Sequence, residues 1–398
     1  MRPPAGPAAV YAARAIRDFG DGFIAILLPV YLTSLGLTVF DVGVIATLAL
    51  FGSSCLTLAI GLVGARFDPR RLLLAAAALM ALTGIAYAAS SAYWVLGVVA
   101  FVGTINPSGG SASIFVPIEH SLLSGAVTPA LRTRSFARYS LVGALAGALG
   151  SLLAAAPDWL VATGVGTLDA LRIMFLAYAV LGVLGGAIYW RLEARTLSAA
   201  EAPPTPLGPS RRIVYKLSAL FCIDAFAGGF TVQSLLALWL FERFHMSLAA
   251  ASQFFFWSGL LAAFSFPVAA WIGARIGLVN TMVFTHIPSS LCLIAAAFAP
   301  SLEMVLGLLL VRAFLSQMDV PTRSSYVMAV VTPAERPAAA SVTAVPRSLA
   351  AAASPALAGA LFAAGLQAWP LVLCGALKIL YDLLLLAAFR NVKPPEES

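Results

Sequence analysis

Long apolar segments recur along the whole chain, and short connections rich in arginine separate them. Many of these segments approach the roughly 20 residues that a helix needs to cross a bilayer. Only 10% of the 398 residues are charged, whereas about 25% are charged in a soluble globular protein. The pattern therefore predicts an all-α integral membrane protein.

Twelve candidate membrane spans fit this pattern. The fourth and tenth are longer than a bilayer requires, which predicts that they are tilted, broken or extended into the cytoplasm. The spans cover residues 14–36, 41–65, 71–91, 94–127, 135–156, 169–191, 213–241, 248–274, 279–299, 302–331, 338–364 and 367–390.

The net charge of +7 comes from arginines that cluster mostly in short connections. If the N-terminus is cytoplasmic, most of these arginines fall on the cytoplasmic side, and the other side carries little beyond Arg172 and Arg243. Cytoplasmic loops of membrane proteins carry such an excess of Lys and Arg. We therefore expect a multi-pass protein in the lipid bilayer of the cell membrane, with both termini cytoplasmic and no nucleic-acid partner.

Two stretches half a chain apart repeat each other. Residues 116–132 read VPIEHSLLSGAVTPALR and residues 320–336 read VPTRSSYVMAVVTPAER, with an offset of 204 and identical residues at eight positions. The Gly-Phe pair at 22–23 recurs at 229–230 with an offset of 207. An internal duplication in a membrane protein is typical of a transporter with two homologous halves.

The longest polar connection, at about residues 191–212, divides the spans into two sets of six. Its Pro, Ala and Ser content favours a flexible linker. We therefore predict two pseudo-symmetric halves, 1–191 and 213–398, joined by a cytoplasmic linker at 192–212.

The connection between the second and third spans reads GLVGARFDPRR over residues 61–71. Together with the duplication and the spans, it resembles the loop signature of the major facilitator superfamily, in which a Gly and an acid-base pair precede a second Gly and a basic cluster. Alanine stands in place of the usual acid, and Asp68 in place of the second Gly. The residues that fit the signature are Gly61, Arg66, Arg70 and Arg71. The resemblance implies a secondary transporter of twelve transmembrane helices, whose halves this loop helps to latch, with Asp68 supplying the displaced acid.

Span five contains glycines at 143, 147 and 150. Their spacing is similar to the glycine-rich motif of the superfamily's antiporters, although the proline of that motif is missing. Small residues at such spacing also allow two helices to approach closely. Close packing is the favoured interpretation, and antiport is the alternative.

Ionisable residues inside the predicted spans concentrate on the first, fourth, seventh and tenth, which line the central cavity in the superfamily. A charge in hydrocarbon costs about 2.5–3.5 kcal/mol on insertion scales, so each one is a candidate functional group. The candidates for proton coupling are Asp21, Glu119, Asp224 and Asp319. The candidates for the substrate cavity are Asn106, Ser111, His120, Gln233, Arg312 and Gln317.

Residues 106–113 of span four read NPSGGSAS, which predicts a kinked or broken helix beside a wet cavity. In span ten, Asp319 and Arg323 are four residues apart and are expected to pair. Arg323 is the duplicate of Glu119. A pair between these two residues, acting as a cytoplasmic gate, is therefore a further hypothesis.

Other polar residues are interpreted as structural. Lys378 and Asp382 have the spacing of a pair within one helix. His286 has no cluster of ligands around it, so a hydrogen-bonded structural role is expected. The four cysteines are far apart, and neither a metal site nor a disulfide framework is predicted.

These features predict a secondary transporter that moves a small solute by alternating access, with proton-coupled efflux favoured. Proton-coupled uptake of an organic anion or nutrient, with Arg312 binding a carboxylate or phosphate, is one alternative. A membrane scaffold that keeps the fold without transport is another. The sequence has no P-loop, HExxH or nucleophile-elbow motif. We therefore predict no enzymatic activity and no cofactor, and expect a monomer.

Overall fold

A computed structural model describes residues 7–64, 67–109, 113–126, 129–192, 207–332 and 335–390. The regular structure within these residues is helical. The helices are α1 (Pro7–Ser34), α2 (Val39–Val63), α3 (Pro69–Ala89), α4 (Tyr93–Val102), α5 (Phe115–Ala126), α6 (Pro129–Leu153), α7 (Ala156–Ala162), α8 (Thr167–Trp190), α9 (Arg211–Gly229), α10 (Gln233–Phe244), α11 (Leu248–Ile276), α12 (Leu278–Phe298), α13 (Leu302–Ser316), α14 (Asp319–Ala329), α15 (Arg336–Ala363) and α16 (Trp369–Phe389).

Eight helical stretches among the described residues are long and apolar enough to cross a membrane. They are Val39–Leu62, Pro69–Ala89, Arg134–Ala162, Thr167–Trp190, Arg211–Phe244, Leu248–Ile276, Leu278–Phe298 and Trp369–Phe389. The prediction of an all-α membrane protein is therefore confirmed. The count of twelve spans stays a prediction.

Three of the predicted spans are interrupted helices. Span seven divides into α9 and α10 around residues 230–232, and span ten divides into α13 and α14 at residues 317–318. Span four ends as α4 at Val102 and resumes as α5 at Phe115, which confirms the predicted break. Gly109 lies in this break with φ +68°, a conformation that glycine adopts without steric cost.

The helices divide into two compact units. The first unit contains Met1–Ser198 together with Val232–Phe256. In it, α1 packs against α6 and α8, and Phe23 to Leu28 are fully enclosed. The Phe175 ring lies 4.6 Å from the ring of Tyr31, between centroids. Burial of this apolar helix thus fixes α1 at the centre of the first unit.

The second unit contains Ala199–Thr231 and Trp257–Ser398. Its helix α9 packs against α15 and α16, and α12 packs against α13, α14 and α16. The core includes the buried side chains of Phe221, Met282 and Tyr326. Helix α9 therefore holds a central place in the second unit, as α1 does in the first.

Glycines allow α1 and α6 to approach closely. A Cβ atom added at Gly22 would lie 2.2 Å from the carbonyl oxygen of Gly147, and one added at Gly150 would lie 2.0 Å from that of Phe19. No side chain fits at such distances. The close packing predicted for the span-five glycines is therefore confirmed, and antiport stays a prediction. Gly229, the duplicate of Gly22, is equally close to the backbone of α15 at Ala351.

Candidate functional site

A buried cluster of charged side chains lies on α1 in the first unit. The Arg14 Nε atom is 2.7 Å from Asp18 Oδ2, and Arg17 Nε is 3.5 Å from Asp18 Oδ1. All three residues are at most 8% exposed. Asp18 therefore forms ion pairs with two arginines of its own helix.

Glu119 of α5 joins this cluster through Arg17. Arg17 Nη1 lies 3.0 Å from Glu119 Oε2, and the hydroxyls of Tyr139 and Tyr189 both donate hydrogen bonds to this carboxylate. The Arg17 guanidinium also stacks over the Phe115 ring at 4.5 Å. Glu119 is fully enclosed, so its charge is balanced by Arg17 and solvated by two phenols.

Asp21 lies one turn beyond Asp18 on α1 and has a different environment. It is 2% exposed, and the Tyr178 hydroxyl lies 3.3 Å from its Oδ1 atom. Tyr178 also lies 3.1 Å from the carbonyl oxygen of Thr104, in the break after α4. No Lys, Arg or His among the described residues comes within 4.0 Å of the Asp21 carboxylate.

A second buried cluster centres on Asp224 of α9 in the second unit. Lys378 Nζ of α16 lies 2.6 Å from Asp224 Oδ1, and Arg323 Nη1 of α14 lies 3.0 Å from Asp224 Oδ2. Arg347 Nη2 of α15 is 3.9 Å away. One carboxylate therefore bridges cations from three helices.

The same cluster extends in two directions. Arg323 Nη1 lies 2.8 Å from Asp319 Oδ2, as the spacing predicted. His286 Nδ1 lies 3.1 Å from Asp382 Oδ1, and its Nε2 lies 3.3 Å from Lys378 Nζ. The prediction that Lys378 pairs with Asp382 inside α16 was wrong, because these side chains turn to α9 and α12 instead. His286 is hydrogen-bonded as expected, but it lies within a charge cluster.

Glu119 and Arg323, the two ends of the predicted cytoplasmic gate, are each bonded inside their own unit. Glu119 pairs with Arg17 of α1, and Arg323 pairs with Asp224 of α9. The offset from Arg17 to Asp224 is 207, the offset that relates the Gly-Phe repeats. Both halves thus contain the same interhelical pair with its polarity reversed.

The predicted cavity residues of the first unit lie near the break in span four. Asn106 is 2% exposed, and its Oδ1 atom accepts a hydrogen bond from Ser108 N at 3.0 Å. The backbone N–H of Ser234 donates to the carbonyl oxygen of Pro107 at 3.0 Å. This bond places Gln233, at the start of α10, beside Gly109.

The other cavity candidates are dispersed. His120 packs against the rings of Phe136 and Tyr139. Arg312 lies on α13, and Gln317 is the residue at which that helix ends. Ser111 lies outside the described residues.

The loop between α2 and α3 gives its residues separate environments. Asp68 accepts a hydrogen bond from Arg70 N at 3.0 Å and caps α3. Arg70 Nη2 donates to the carbonyl oxygen of Trp190 at 2.7 Å. Gly61 has open space around it, Arg71 is exposed, and Arg66 lies outside the described residues. The predicted latch role stays a prediction.

Sequence reasoning missed several members of the two clusters. Tyr139 lies 20 residues from Glu119, and the other interhelical partners lie 70 or more residues apart, so no helical spacing shows their proximity. For Arg17 a signal existed: its offset to Asp224 matches that of the glycine repeat. The missed residues are Arg17, Tyr139, Tyr178, Tyr189, His286, Arg347 and Lys378.

This chain is similar to a yeast membrane protein and to solved structures of transporters. The uncharacterised membrane protein YJR124C of Saccharomyces cerevisiae is 23% identical over 419 residues, which cover 96% of this chain and 94% of the yeast protein. A solved bacterial homolog of the human lysosomal transporter Spinster, inward-facing and occupied, has a TM-score of 0.75 at 15% identity over 96% of each chain.

Two further solved structures share the fold. The nucleoside transporter NupG has a TM-score of 0.73 at 12% identity over 96% of this chain and 99% of its own. The human organic anion transporter MFSD10 has a TM-score of 0.66 at 18% identity over 96% of this chain and all of its own. The family model for the Major Facilitator Superfamily matches residues 10–301 and 217–398. Since the model matches nearly the whole chain, the protein belongs to the major facilitator superfamily of membrane transporters.

Proposed function

We propose that this protein moves a small solute by alternating access in exchange for protons, and that Asp21 carries the proton. The supporting observation is the lack of any described cation within 4.0 Å of this buried carboxylate. The other candidates, Glu119, Asp224 and Asp319, each have a Lys or Arg within 3.0 Å. Of the four carboxylates, Asp21 is thus the one whose charged form is least stabilised by its surroundings, and its protonation is the most favourable.

The hydrogen bonds around Asp21 provide a route from its protonation state to the backbone. Tyr178 has a single hydroxyl proton, and it lies within reach of both Asp21 Oδ1 and the Thr104 carbonyl oxygen. When Asp21 is ionised, this proton is directed to the carboxylate. When Asp21 is protonated, it donates to the Tyr178 oxygen, and Tyr178 donates to Thr104. Proton binding therefore changes a hydrogen bond at the break in span four.

The experiment starts with a ligand screen, by thermal shift at two pH values, on purified protein. Each ligand that stabilises the protein is then tested for proton movement in proteoliposomes containing a pH-sensitive dye. We expect ligand-driven proton flux in the wild type. Asp21→Asn should retain ligand binding and ligand exchange while losing proton flux, because the amide does not titrate.

Asp169→Asn is the control, since Asp169 is exposed and pairs with Arg172 at the start of α8. It should leave flux unchanged. Unchanged proton flux in Asp21→Asn would remove Asp21 from the mechanism. Ligand exchange without proton flux in the wild type would remove proton coupling, and the absence of any transported ligand would favour a scaffold.

We propose efflux as the direction, in the cell membrane, with both termini in the cytoplasm and a monomer as the working unit. The direction rests on the resemblance of the span-five glycines to the antiporter motif, and the orientation rests on the arginine distribution. A C-terminal fluorescent protein that folds only in the cytoplasm tests the orientation. A substrate gradient imposed from either face of oriented vesicles tests the direction.

Proton-coupled uptake of an organic anion is the second candidate. It is favoured by Arg312, which has no carboxylate oxygen within 4.0 Å among the described residues, and by the description of MFSD10 as an organic anion transporter. In oriented vesicles, anion and proton entering together would favour uptake, whereas movement in opposite directions would favour efflux.

A further inference from the structure

Arg312 differs from the five cations of the described helices that belong to the two charge clusters. Arg14, Arg17, Arg323, Arg347 and Lys378 each have a carboxylate oxygen within 4.0 Å. Among the described residues, Arg312 has none.

Arg312 lies near the side of α13 that carries the buried residues of this helix. It lies seven residues after Val305 and three after Leu309, and so shares a helix face with both. These two residues are 0% and 1% exposed. Met304 and Val311 lie about 80–100° around the helix from Arg312 and are 50% and 51% exposed. A cation on the packed side of a helix inside a predicted membrane span is poorly solvated, and an anion beside it lowers the free-energy cost of its charge.

We propose that Arg312 binds an oxyanion group, a carboxylate or a phosphate, of the transported solute. A guanidinium donates two parallel hydrogen bonds to such a group, which gives both strength and orientation. The residue is half-buried, so part of its side chain is accessible to a ligand. This inference rests on the proposed transport function and specifies that the transported solute is negatively charged.

The test compares anions with chemically related neutral molecules. Purified full-length protein is titrated with benzoate, succinate and glycerol 3-phosphate, and with benzamide, succinamide and glycerol, at constant ionic strength. Binding is measured by thermal shift and by isothermal calorimetry. We expect at least one anion to bind tenfold or more tightly than its neutral partner.

Arg312→Gln should abolish this preference, and Arg312→Lys should retain part of it, because lysine keeps the charge without the planar fork. Arg172→Gln, which removes a half-buried cation of α8 that pairs with Asp169, should leave it unchanged. The unliganded melting temperature and the elution volume show whether each variant is folded. If Arg312→Gln does not fold, the Arg312→Lys variant still tests the preference, because loss of the bidentate geometry should weaken anion binding alone.

Two results would overturn the inference: no anion preferred over its partner, or a preference that survives in Arg312→Gln. Stabilisation by phosphatidylglycerol, and not by the soluble anions, that disappears in Arg312→Gln would assign the site to lipid and also overturn it. The outcome is separable from that of the proton proposal, because these binding measurements need no proton flux. Transport of a neutral or cationic solute would overturn the anion-binding role of Arg312 without affecting the proton-carrying role of Asp21.

Discussion

The two units build the same interhelical ion pair with opposite polarity. In the first, Arg17 of α1 pairs with Glu119 of α5 at 3.0 Å. In the second, Asp224 of α9 pairs with Arg323 of α14 at 3.0 Å. The geometry of the pair is therefore retained between the halves while the sign of each partner is not. The duplication therefore preserved the positions of the two paired residues but not the residue types at those positions.

The clusters around these pairs differ in their charge balance. The first has three carboxylates, Asp18, Asp21 and Glu119, for two arginines. The second has the carboxylates of residues 224, 319 and 382 for three cations and a histidine. The first cluster is thus one cation short, whereas the second is balanced. This difference suits the first to proton binding and the second to holding helices together.

The largest expected effect is the loss of the central carboxylate of the second cluster. Asp224→Asn leaves Lys378 and Arg323 without their shared anion, and removing one partner of a buried pair costs about 3–5 kcal/mol. Asp21→Asn, in contrast, replaces an unpaired carboxylate by a neutral group and should change stability by less than about 1 kcal/mol. Unfolding of both variants in the same detergent measures the difference. Equal destabilisation would show that the two clusters have the same role.

The reversed polarity itself can be tested by exchange. Arg17→Asp and Glu119→Arg should each lower the melting temperature strongly, because each leaves like charges together. The double variant copies the polarity of the second unit and should recover more than half of the loss. The exchange Glu119→Arg with Arg323→Glu should recover nothing, because each residue pairs inside its own unit. Recovery in that variant would instead support the gate hypothesis.

Glycine packing gives a smaller effect. Gly22→Ala places a methyl group against the Gly147 carbonyl oxygen, and such overpacking costs about 1–3 kcal/mol. Gly61→Ala, with no atom within 4 Å of the added Cβ, is the matched control and should be neutral. Thermal unfolding compares them. A neutral Gly22→Ala would mean that α1 and α6 separate easily.

The smallest effect concerns Glu335, in the connection before α15. Its carboxylate accepts hydrogen bonds from Thr332, Ser210 and Gly208, and these bonds lower the pKa of Glu335 to about 2. Because the folded-state pKa lies below the ordinary value of 4.5, the stabilisation is present above that value and declines as pH falls toward 2. The wild type should melt higher than Glu335→Gln at pH 7. A gap that does not narrow between pH 5 and pH 3 would contradict this assignment.

Local sequence signals predicted the features that depend on neighbouring residues. The break in span four follows from Pro107 and the adjacent glycines, and the pairing of Asp319 with Arg323 follows from their spacing. Features that depend on tertiary packing were not predictable in this way. Lys378 has a correctly spaced acid in its own helix, yet it bonds to Asp224 of α9, because the direction of a side chain is decided by the helices packed around it.

The reversed ion pair also bears on how a duplicated chain folds without mistakes. In a chain with two similar halves, a helix of one half can pack in the position of the equivalent helix of the other half during folding. If α1 took the place of α9, Arg17 would face Arg323, and α9 in the place of α1 would set Asp224 against Glu119. Like charges in a poorly solvated interior repel strongly. Opposite polarity therefore disfavours the docking of a helix in the wrong half. The Arg17→Asp, Glu119→Arg variant removes this difference between the halves and should lower the yield of monodisperse protein.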